Sequence, residues 1–324
     1  MIRLKRLVIA LLIVVLLPSL GFRGAAMLRE TQTAAEAQPE TGRMVDTGLG
    51  AIYVQEVGPV GGTPLLLAHG TAAWSGLWAE TMTALAEQGY RVIAFDMPPF
   101  GFSDRDPAGD YSRQTQARRI LSLVEALGTR PVLIAHSFGA APATEAVMMR
   151  QEAFAGLVIV DGALGLNSHE AEASLPLPLR PAWLRRTIVS LTGTNPLLTK
   201  TLLSQLLYVK EAATDEVVEI LQRPMVIESS TAAFANWLPS LLVPPKTALS
   251  TRPDNFRALD LPTRLIWGDK DTVTPPEQAD ELAALIGQGP PHLLTDVGHI
   301  PQIEAPEAFQ ALLISVLSDM KAGN

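Results

Sequence analysis

The sequence predicts an α/β fold, with a mostly parallel central sheet, helices on both faces and an inserted helical lid. Short apolar runs, such as Pro64–Ala68 and Arg91–Phe95, alternate with stretches that are compatible with helices. This alternation is typical of a parallel sheet that is covered on both sides. Several of the runs end directly in polar or glycine-containing turns, and a long stretch of different composition interrupts the pattern once.

The N-terminal residues are predicted to lie outside this fold. Three basic residues precede an unbroken apolar run at residues 7–17, which is the pattern of an export signal. We therefore predict that residues 1–26 are a signal peptide or, if the apolar run is counted to Phe22, an uncleaved membrane anchor. Either interpretation places the following domain outside the cytoplasm, in the periplasm or the extracellular space. The polar residues 27–42 are predicted to be a linker.

A single large domain is predicted for residues 43–320. It opens with strands at residues 44–47 and 51–57, which flank a glycine-containing turn and indicate a β-hairpin. Residues 112–127 are the clearest helix, because their apolar residues recur at helical spacing. Gly128 fits the position directly after the end of that helix.

The stretch that interrupts the strand pattern is predicted to be the helical lid. Residues 163–259 are rich in Leu and Pro, include Trp183 and Trp237, and show no strand-like alternation. We therefore expect these residues to form helices over the site.

Composition limits the classes of function. The net charge is −8, which disfavours nucleic acid as a partner because phosphate binding needs a basic face. The chain has no cysteine, which excludes thiol catalysis, disulfides and cysteine–metal sites. Its five histidines show no metal-ligand spacing, so neither a metal nor another cofactor is expected. A small molecule is the expected partner, and the sequence leaves the oligomeric state open.

Ser137 is the candidate nucleophile. It follows the apolar run at residues 131–134, precedes a helix-compatible stretch and has small residues two positions away on both sides, Ala135 and Gly139. A serine hydroxyl is a weak nucleophile, so it must be exposed on a sharp turn where a histidine can reach it. Small neighbours allow that strained turn. Taken alone, the pattern also fits an ordinary strand-to-helix turn with a capping serine.

The rest of the chain supplies further motifs in a matching order. Downstream, Asp269 and Asp271 follow an apolar strand, and His299 follows the last one. Upstream, the turns after two strands contain the segments 69–71 and 96–103. With these motifs, residues 44–318 resemble the α/β-hydrolase family, in the branch of serine esterases, lipases, haloperoxidase-like proteins and carbon–carbon bond hydrolases.

The resemblance implies a catalytic triad in the order serine, acid, histidine. Ser137 is then the nucleophile and His299 the base that takes its proton. Asp271 is the expected acid, since it completes a Gly-x-x-Asp pattern. Asp269 is then a turn residue. Asp161 remains an alternative, because some relatives place the acid after the preceding strand.

The resemblance also implies an oxyanion hole of two backbone N–H groups, from Phe138 and Thr71. His69 is expected to hold the backbone of the Thr71 loop. The apolar side chains after this loop, Trp74, Leu77 and Trp78, are interpreted either as lining of the acyl pocket or as core.

Ester hydrolysis through an acyl-enzyme is the activity that the serine implies, on an apolar or amphipathic, lipid-like substrate. The alternative is a carbon–carbon bond hydrolase of a diketone acid, which would need cationic groups for the substrate carboxylates. Four lid residues are candidates for them: Arg180, Arg185, Arg186 and Arg223. A second alternative is a non-catalytic member of the fold.

Overall fold

Eight strands form one sheet in the order β1-β2-β4-β3-β5-β6-β7-β8. The computed structural model describes residues 19–170, 174–243 and 246–322. The pairs β1–β2 and β2–β4 are antiparallel, and all the other pairs are parallel, which confirms the predicted fold class. The strands are β1 (Gly42–Asp46), β2 (Ala51–Val57), β3 (Pro64–Ala68), β4 (Arg91–Phe95), β5 (Val132–His136), β6 (Gly156–Val160), β7 (Thr263–Gly268) and β8 (His292–Leu294).

Helices follow most of the parallel strands. The α-helices are α1 (residues 19–29 of the described part), α2 (Ala34–Ala37), α3 (Ala79–Glu87), α4 (Arg113–Leu127), α5 (Ala140–Met149), α6 (Ala182–Leu191), α7 (Thr199–Leu206), α8 (Asp215–Gln222), α9 (Ser230–Leu242), α10 (Pro253–Arg257), α11 (Glu277–Ile286), α12 (Pro301–Glu304) and α13 (Pro306–Ala322). Helix α4 matches the helix predicted from periodicity, and Gly128 ends it with φ +61°.

The sheet separates two hydrophobic cores, because successive side chains of a strand point to opposite faces. On β3, Leu66 and Ala68 belong to the core beneath α4, α5 and α11, whereas Leu65 and Leu67 belong to the core beneath α3 and α13. All four side chains are fully buried. Strand β3 is therefore apolar on both faces, as the sequence pattern indicated, and the carboxyl ends of the parallel strands meet at one edge of the sheet.

The insertion between β6 and β7 contains the helices α6 to α10. Helix α6 packs against α9, and α7 packs against α8. Helix α10 differs from these, because its Phe256 is fully buried in the core beneath α4 and α5. The lid was predicted to span residues 163–259, but its last helix, α10, packs in the body of the domain.

The N-terminal segment is attached to this insertion. The Arg29 guanidinium donates hydrogen bonds to the carbonyl oxygens of Thr194, at 2.7 Å, and Met225, at 3.3 Å. The Glu30 carboxylate accepts hydrogen bonds from the N–H and hydroxyl groups of Thr231. Gln32 forms a parallel bridge with Ile227. Residues 27–42, predicted as a linker, thus make specific contacts with the lid.

The apolar run at residues 7–17, part of the predicted signal peptide or anchor, lies outside the described residues. Within the ranges that are described, we find no helix that combines the length and the apolar character needed to cross a membrane.

Candidate active site

Ser137 lies on a tight turn between β5 and α5. Its φ is +52°, a left-handed conformation that non-glycine residues rarely adopt. Gly139 is required here, because a Cβ at that position would lie 2.2 Å from the carbonyl oxygen of His69. A Cβ on Gly70 would lie 3.0 Å from the Cβ of Ser137. The loop after β3 therefore passes directly against the serine, and only small residues permit this contact.

Three sequence-predicted side chains form one chain of hydrogen bonds. The Oγ of Ser137 lies 2.7 Å from Nε2 of His299, and Nδ1 of His299 lies 2.8 Å from Oδ2 of Asp271. All three residues are buried. With the Nδ1–H group donating to Asp271, Nε2 is the basic nitrogen that faces the serine hydroxyl. The arrangement can take the proton of Ser137 and stabilise the resulting imidazolium with the Asp271 carboxylate.

The loop after β7 fixes Asp271 in this position. Its Oδ1 accepts hydrogen bonds from the N–H groups of Val273, at 2.7 Å, and Thr274, at 3.0 Å. The Thr274 hydroxyl lies 2.6 Å from Oδ2. Burial by itself would raise the pKa of Asp271, but its hydrogen bond and charge interaction with His299 and the bonds from Thr274 outweigh burial and lower the pKa. The carboxylate is therefore ionised at neutral pH.

The two other acid candidates lie in different environments. Asp269 accepts a hydrogen bond from the N–H of Asp296 at 2.7 Å and pairs with Lys270 at the surface. It does not contact His299. Asp161 is fully buried and close to Asp271, and its Oδ1 accepts a hydrogen bond from the N–H of Gly268 at 2.9 Å. Among the three candidates, Asp271 alone is hydrogen-bonded to His299.

Two further histidines support the turn and the histidine loop. Nδ1 of His69 lies 2.8 Å from the carbonyl oxygen of Gly70, and its Nε2 accepts a hydrogen bond from the N–H of Met97. Both ring nitrogens therefore hold backbone, which agrees with the structural role expected for this residue. Nε2 of His136 donates to the carbonyl oxygen of His299 at 2.8 Å. Burial lowers the pKa to about 4 for His69 and to about 3 for His136, so both rings are neutral.

Glu304 fixes the loop that carries His299. Its Oε1 accepts the N–H of Ile300 at 3.0 Å, and its Oε2 accepts the N–H of Gly298 at 3.1 Å. Oε2 also accepts the N–H groups of Tyr208 and Val209 in the lid, both at 2.8 Å. One carboxylate thus links the His299 loop to the insertion.

The two predicted oxyanion residues flank the serine. Thr71 lines the same cavity as Ser137, on the loop that passes against the turn. Phe138 directly follows the serine, and its ring packs edge-on against Trp237 of the lid, with centroids 5.0 Å apart. The backbone segments of Thr71 and Phe138 therefore both lie beside Ser137.

Ser137 and His299 line an apolar cavity of about 110 Å³. Its walls come from the β3 loop, the histidine loop and the lid, and among the described residues no arginine or lysine lines it. The side chains that define its character are Leu77, Leu202, Leu203, Leu206, Met225 and Ile300.

The apolar side chains after the Thr71 loop have different roles. Leu77 lines the cavity, whereas Trp78 is fully buried in the core beneath α3 and α13. Trp74 donates a hydrogen bond from its indole N–H to the carbonyl oxygen of Ile220, at 2.6 Å. The two sequence interpretations therefore apply to different residues, the pocket to Leu77 and the core to Trp78.

The four lid arginines lie away from the cavity. The guanidinium of Arg180 donates to the carbonyl oxygen of Leu175, and that of Arg185 donates to carbonyl oxygens that include Ala235. Arg186 lines a groove beside α1, and Arg223 lines another groove near α2. None of the four reaches the space in front of Ser137.

A comparison with known proteins identifies the family. The model of the alpha/beta hydrolase fold matches residues 63–306, which is most of the chain. The protein belongs to the alpha/beta hydrolase family. The chain is 28% identical to a 2-hydroxymuconate semialdehyde hydrolase of Pseudomonas putida, over 89% of this chain and 98% of that protein. It is 29% identical to Lipase 3 of Moraxella sp. strain TA144, over 76% of this chain and 74% of that protein.

Solved structures show the same fold. A bacterial membrane phospholipase A, described as a virulence factor, superposes with a TM-score of 0.68 at 22% identity and covers 98% of this chain and 97% of its own.

In this hydrolase one group of the described residues has the spacing of a metal site. Ligand atoms of Asp161, Asp271 and His299 lie within 4.8 Å of one another. However, both ring nitrogens of His299 are already engaged, Nε2 by Ser137 and Nδ1 by Asp271. The donor set therefore fits a proton relay better than a metal ion.

Sequence reasoning missed three contributors to the site of this hydrolase: His136, Glu304 and the aromatic contact of Phe138. His136 directly precedes the nucleophile, so its position in the motif was the available signal. The contacts of Glu304 with Tyr208 and of Trp237 with Phe138 carried no local signal, because these partners are distant in the sequence.

Proposed function

We propose that the protein hydrolyses carboxylic esters with apolar or amphipathic groups, through an acyl-enzyme on Ser137. The observation that carries the proposal is the hydrogen-bonded chain from Ser137 through His299 to Asp271 at the end of an apolar cavity. An apolar cavity favours an acyl chain that leaves water.

In the acylation step, Oγ of Ser137 attacks the ester carbonyl carbon and its proton moves to Nε2 of His299. The N–H groups of Phe138 and Thr71 stabilise the negative charge that develops on the carbonyl oxygen. Collapse of the tetrahedral intermediate expels the alkoxide, which takes the proton from His299. Water then attacks the acyl-enzyme by the same proton transfers and releases the acid, so that Ser137 is regenerated.

A carbon–carbon bond hydrolase is the second candidate, and the similarity to a 2-hydroxymuconate semialdehyde hydrolase supports it. Substrates of the diketone-acid class carry carboxylates, for which a cationic partner is expected. The cavity has no such partner among its described lining residues. This difference favours the ester, and the similarity to Lipase 3 agrees with it. The intact chain from Ser137 to Asp271 argues against a non-catalytic member of the fold.

We further propose that the N-terminal residues direct the protein to the membrane or through it, so that the catalytic domain acts outside the cytoplasm. Support comes from the sequence, where basic residues precede the apolar run at residues 7–17. A lipid-like ester is a substrate that such a location would supply.

The test is a turnover assay of the full chain in detergent against p-nitrophenyl esters of graded acyl length and against 2-hydroxymuconate semialdehyde. We expect ester turnover, lost by a factor on the order of 10⁴ in Ser137→Ala. Ser318→Ala, at an exposed serine of α13, should match the parent. A fluorescent phosphonate should label the parent and the control but not Ser137→Ala. Turnover of the semialdehyde with none of the esters would overturn the ester assignment.

A further inference from the structure

Asp161 is a buried carboxyl group behind the catalytic residues that the proposed reaction does not use. It follows β6, has a φ of +45° and is fully buried. Its Oδ1 accepts one hydrogen bond, from the N–H of Gly268 at 2.9 Å. Its Oδ2 has no hydrogen-bond partner in the part of the chain that the structure describes. A buried polar atom without a partner is costly, so its protonation state needs an explanation.

The nearest explanation is the other carboxyl group. One oxygen of Asp161, one oxygen of Asp271 and a ring nitrogen of His299 lie within 4.8 Å of one another. Two buried carboxylates at such a distance do not both ionise, because the charges repel in a medium that screens them poorly. One of the two therefore holds a proton.

The hydrogen bonds decide which group is ionised. Asp271 accepts from two backbone N–H groups, from His299 and from the Thr274 hydroxyl, whereas Asp161 accepts from Gly268 alone. Burial raises the pKa of Asp161 well above its ordinary value, and the neighbouring Asp271 and Glu304 raise it further. The proton consequently resides on Asp161 and the charge on Asp271.

We propose that Asp161 is a positioning residue, whose protonated Oδ2 donates a hydrogen bond to the Asp271 carboxylate and holds that group against His299. The inference rests on the proposed triad. It also has a consequence for the variant Asp271→Asn. Without the Asp271 charge, Asp161 loses the repulsion that adds to the effect of burial, and it becomes the nearest carboxyl group to the His299 imidazolium. Asp161 can then ionise when the imidazolium forms and supply part of its counter-charge.

A four-enzyme cycle tests this consequence with the ester that the full chain turns over best. In Asp161→Asn the amide N–H replaces the carboxylic O–H as donor, so we expect a kcat within about 10-fold of the parent. Asp271→Asn should lose a factor on the order of 10³, and Asp161→Asn with Asp271→Asn should lie at least about 10-fold lower again. The matched control combines Asp269→Asn with Asp271→Asn and should equal Asp271→Asn alone.

Two kinetic outcomes contradict the proposal. A loss greater than about 10-fold in Asp161→Asn alone would show that the parent enzyme needs an ionised Asp161. Equal activity of Asp271→Asn and the Asp161–Asp271 double variant would show that Asp161 has only a structural role. Melting temperatures of all variants establish that each is folded.

Infrared spectroscopy supplies a readout that depends neither on turnover nor on the double variant. At neutral pH the full chain should show the carbonyl band of a protonated carboxylic acid, which disappears in Asp161→Asn and persists in Asp269→Asn. Absence of that band from the parent would overturn the proposal. Because the band does not require a substrate, this result is distinct from a failure to find ester turnover.

Discussion

The Glu304 carboxylate holds the backbone on both sides of His299. It accepts the N–H of Gly298 on one side and that of Ile300 on the other, at 3.1 and 3.0 Å. The same group accepts two N–H groups of the lid segment at Tyr208. Glu304 therefore positions His299 relative to Ser137 through the backbone, without a hydrogen bond to the imidazole ring.

Glu304→Gln is expected to lower both activity and stability. The amide retains one acceptor oxygen, so its NH₂ group faces backbone N–H donors that the carboxylate satisfied. We expect kcat to fall about 10- to 100-fold and the free energy of unfolding to fall by about 1–3 kcal/mol. Steady-state kinetics and urea denaturation measure the two effects. Glu307→Gln, at an exposed position of α13, is the matched control, and an equal loss there would contradict the assignment.

Asp271→Asn should separate the acid of the triad from its neighbour in the loop. Removal of its charge deprives the His299 imidazolium of its partner at 2.8 Å, and we expect kcat to fall by a factor on the order of 10³. Asp269→Asn keeps the turn, since Asn can accept the hydrogen bond from Asp296, and should change kcat less than about 3-fold. Similar losses in the two variants would mean that the loop, and not the charge, is what the reaction requires.

Truncation should show where the N-terminal segment begins to matter for the fold. Removal of residues 1–26 leaves the contacts of Arg29 and Glu30 with the lid, so activity and melting temperature should stay close to those of the full chain. Removal of residues 1–38 deletes these contacts and should lower the melting temperature and the ester turnover. Glu30→Gln in the full chain should cost about 1–3 kcal/mol by urea denaturation, because its buried carboxylate accepts from Thr231. Equal properties of the two truncations would mean that the contacts do not support the lid.

His69 should make a contribution to stability that is lost in acid. Burial lowers the pKa of His69 from 6.5 to about 4, so the unfolded chain binds a proton that the folded chain does not. The contribution is fully present above pH 6.5 and is lost as the pH falls toward 4, by about 3 kcal/mol. Burial lowers the pKa of His136 to about 3, so this residue contributes to stability in the same direction.

Urea denaturation as a function of pH measures this effect. The difference in unfolding free energy between the parent and His69→Asn should shrink as the pH falls from 6.5 toward 4, and the contribution of His136 is present in both proteins. His292→Gln, on the edge strand β8, is the matched histidine control. An unchanged slope in His69→Asn would show that His69 does not take part.

Local patterns in the sequence were enough for the sheet, the turn at Ser137 and the order of the candidate triad. Apolar runs that alternate with helical stretches determine a parallel sheet, because the period of side-chain exposure is a local property. The small residues around Ser137 are likewise local, since they respond to the backbone of that one turn. The lid could be recognised only from a change in amino-acid composition. Composition did not show that its last helix, α10, packs in the core and not over the site.

The tertiary structure alone decided how distant groups meet. Asp161, Asp269 and Asp271 all follow the carboxyl ends of two neighbouring parallel strands, β6 and β7, and local sequence does not show which carboxylate reaches His299. Glu304 and Thr231 belong to no motif. Glu304 nevertheless accepts hydrogen bonds that join the insertion to the His299 loop, and Thr231 donates hydrogen bonds that join the insertion to the N-terminal segment. Sequence determined the elements because propensity and periodicity act over neighbouring residues. Partnership between side chains depends on distances that only the packed chain fixes.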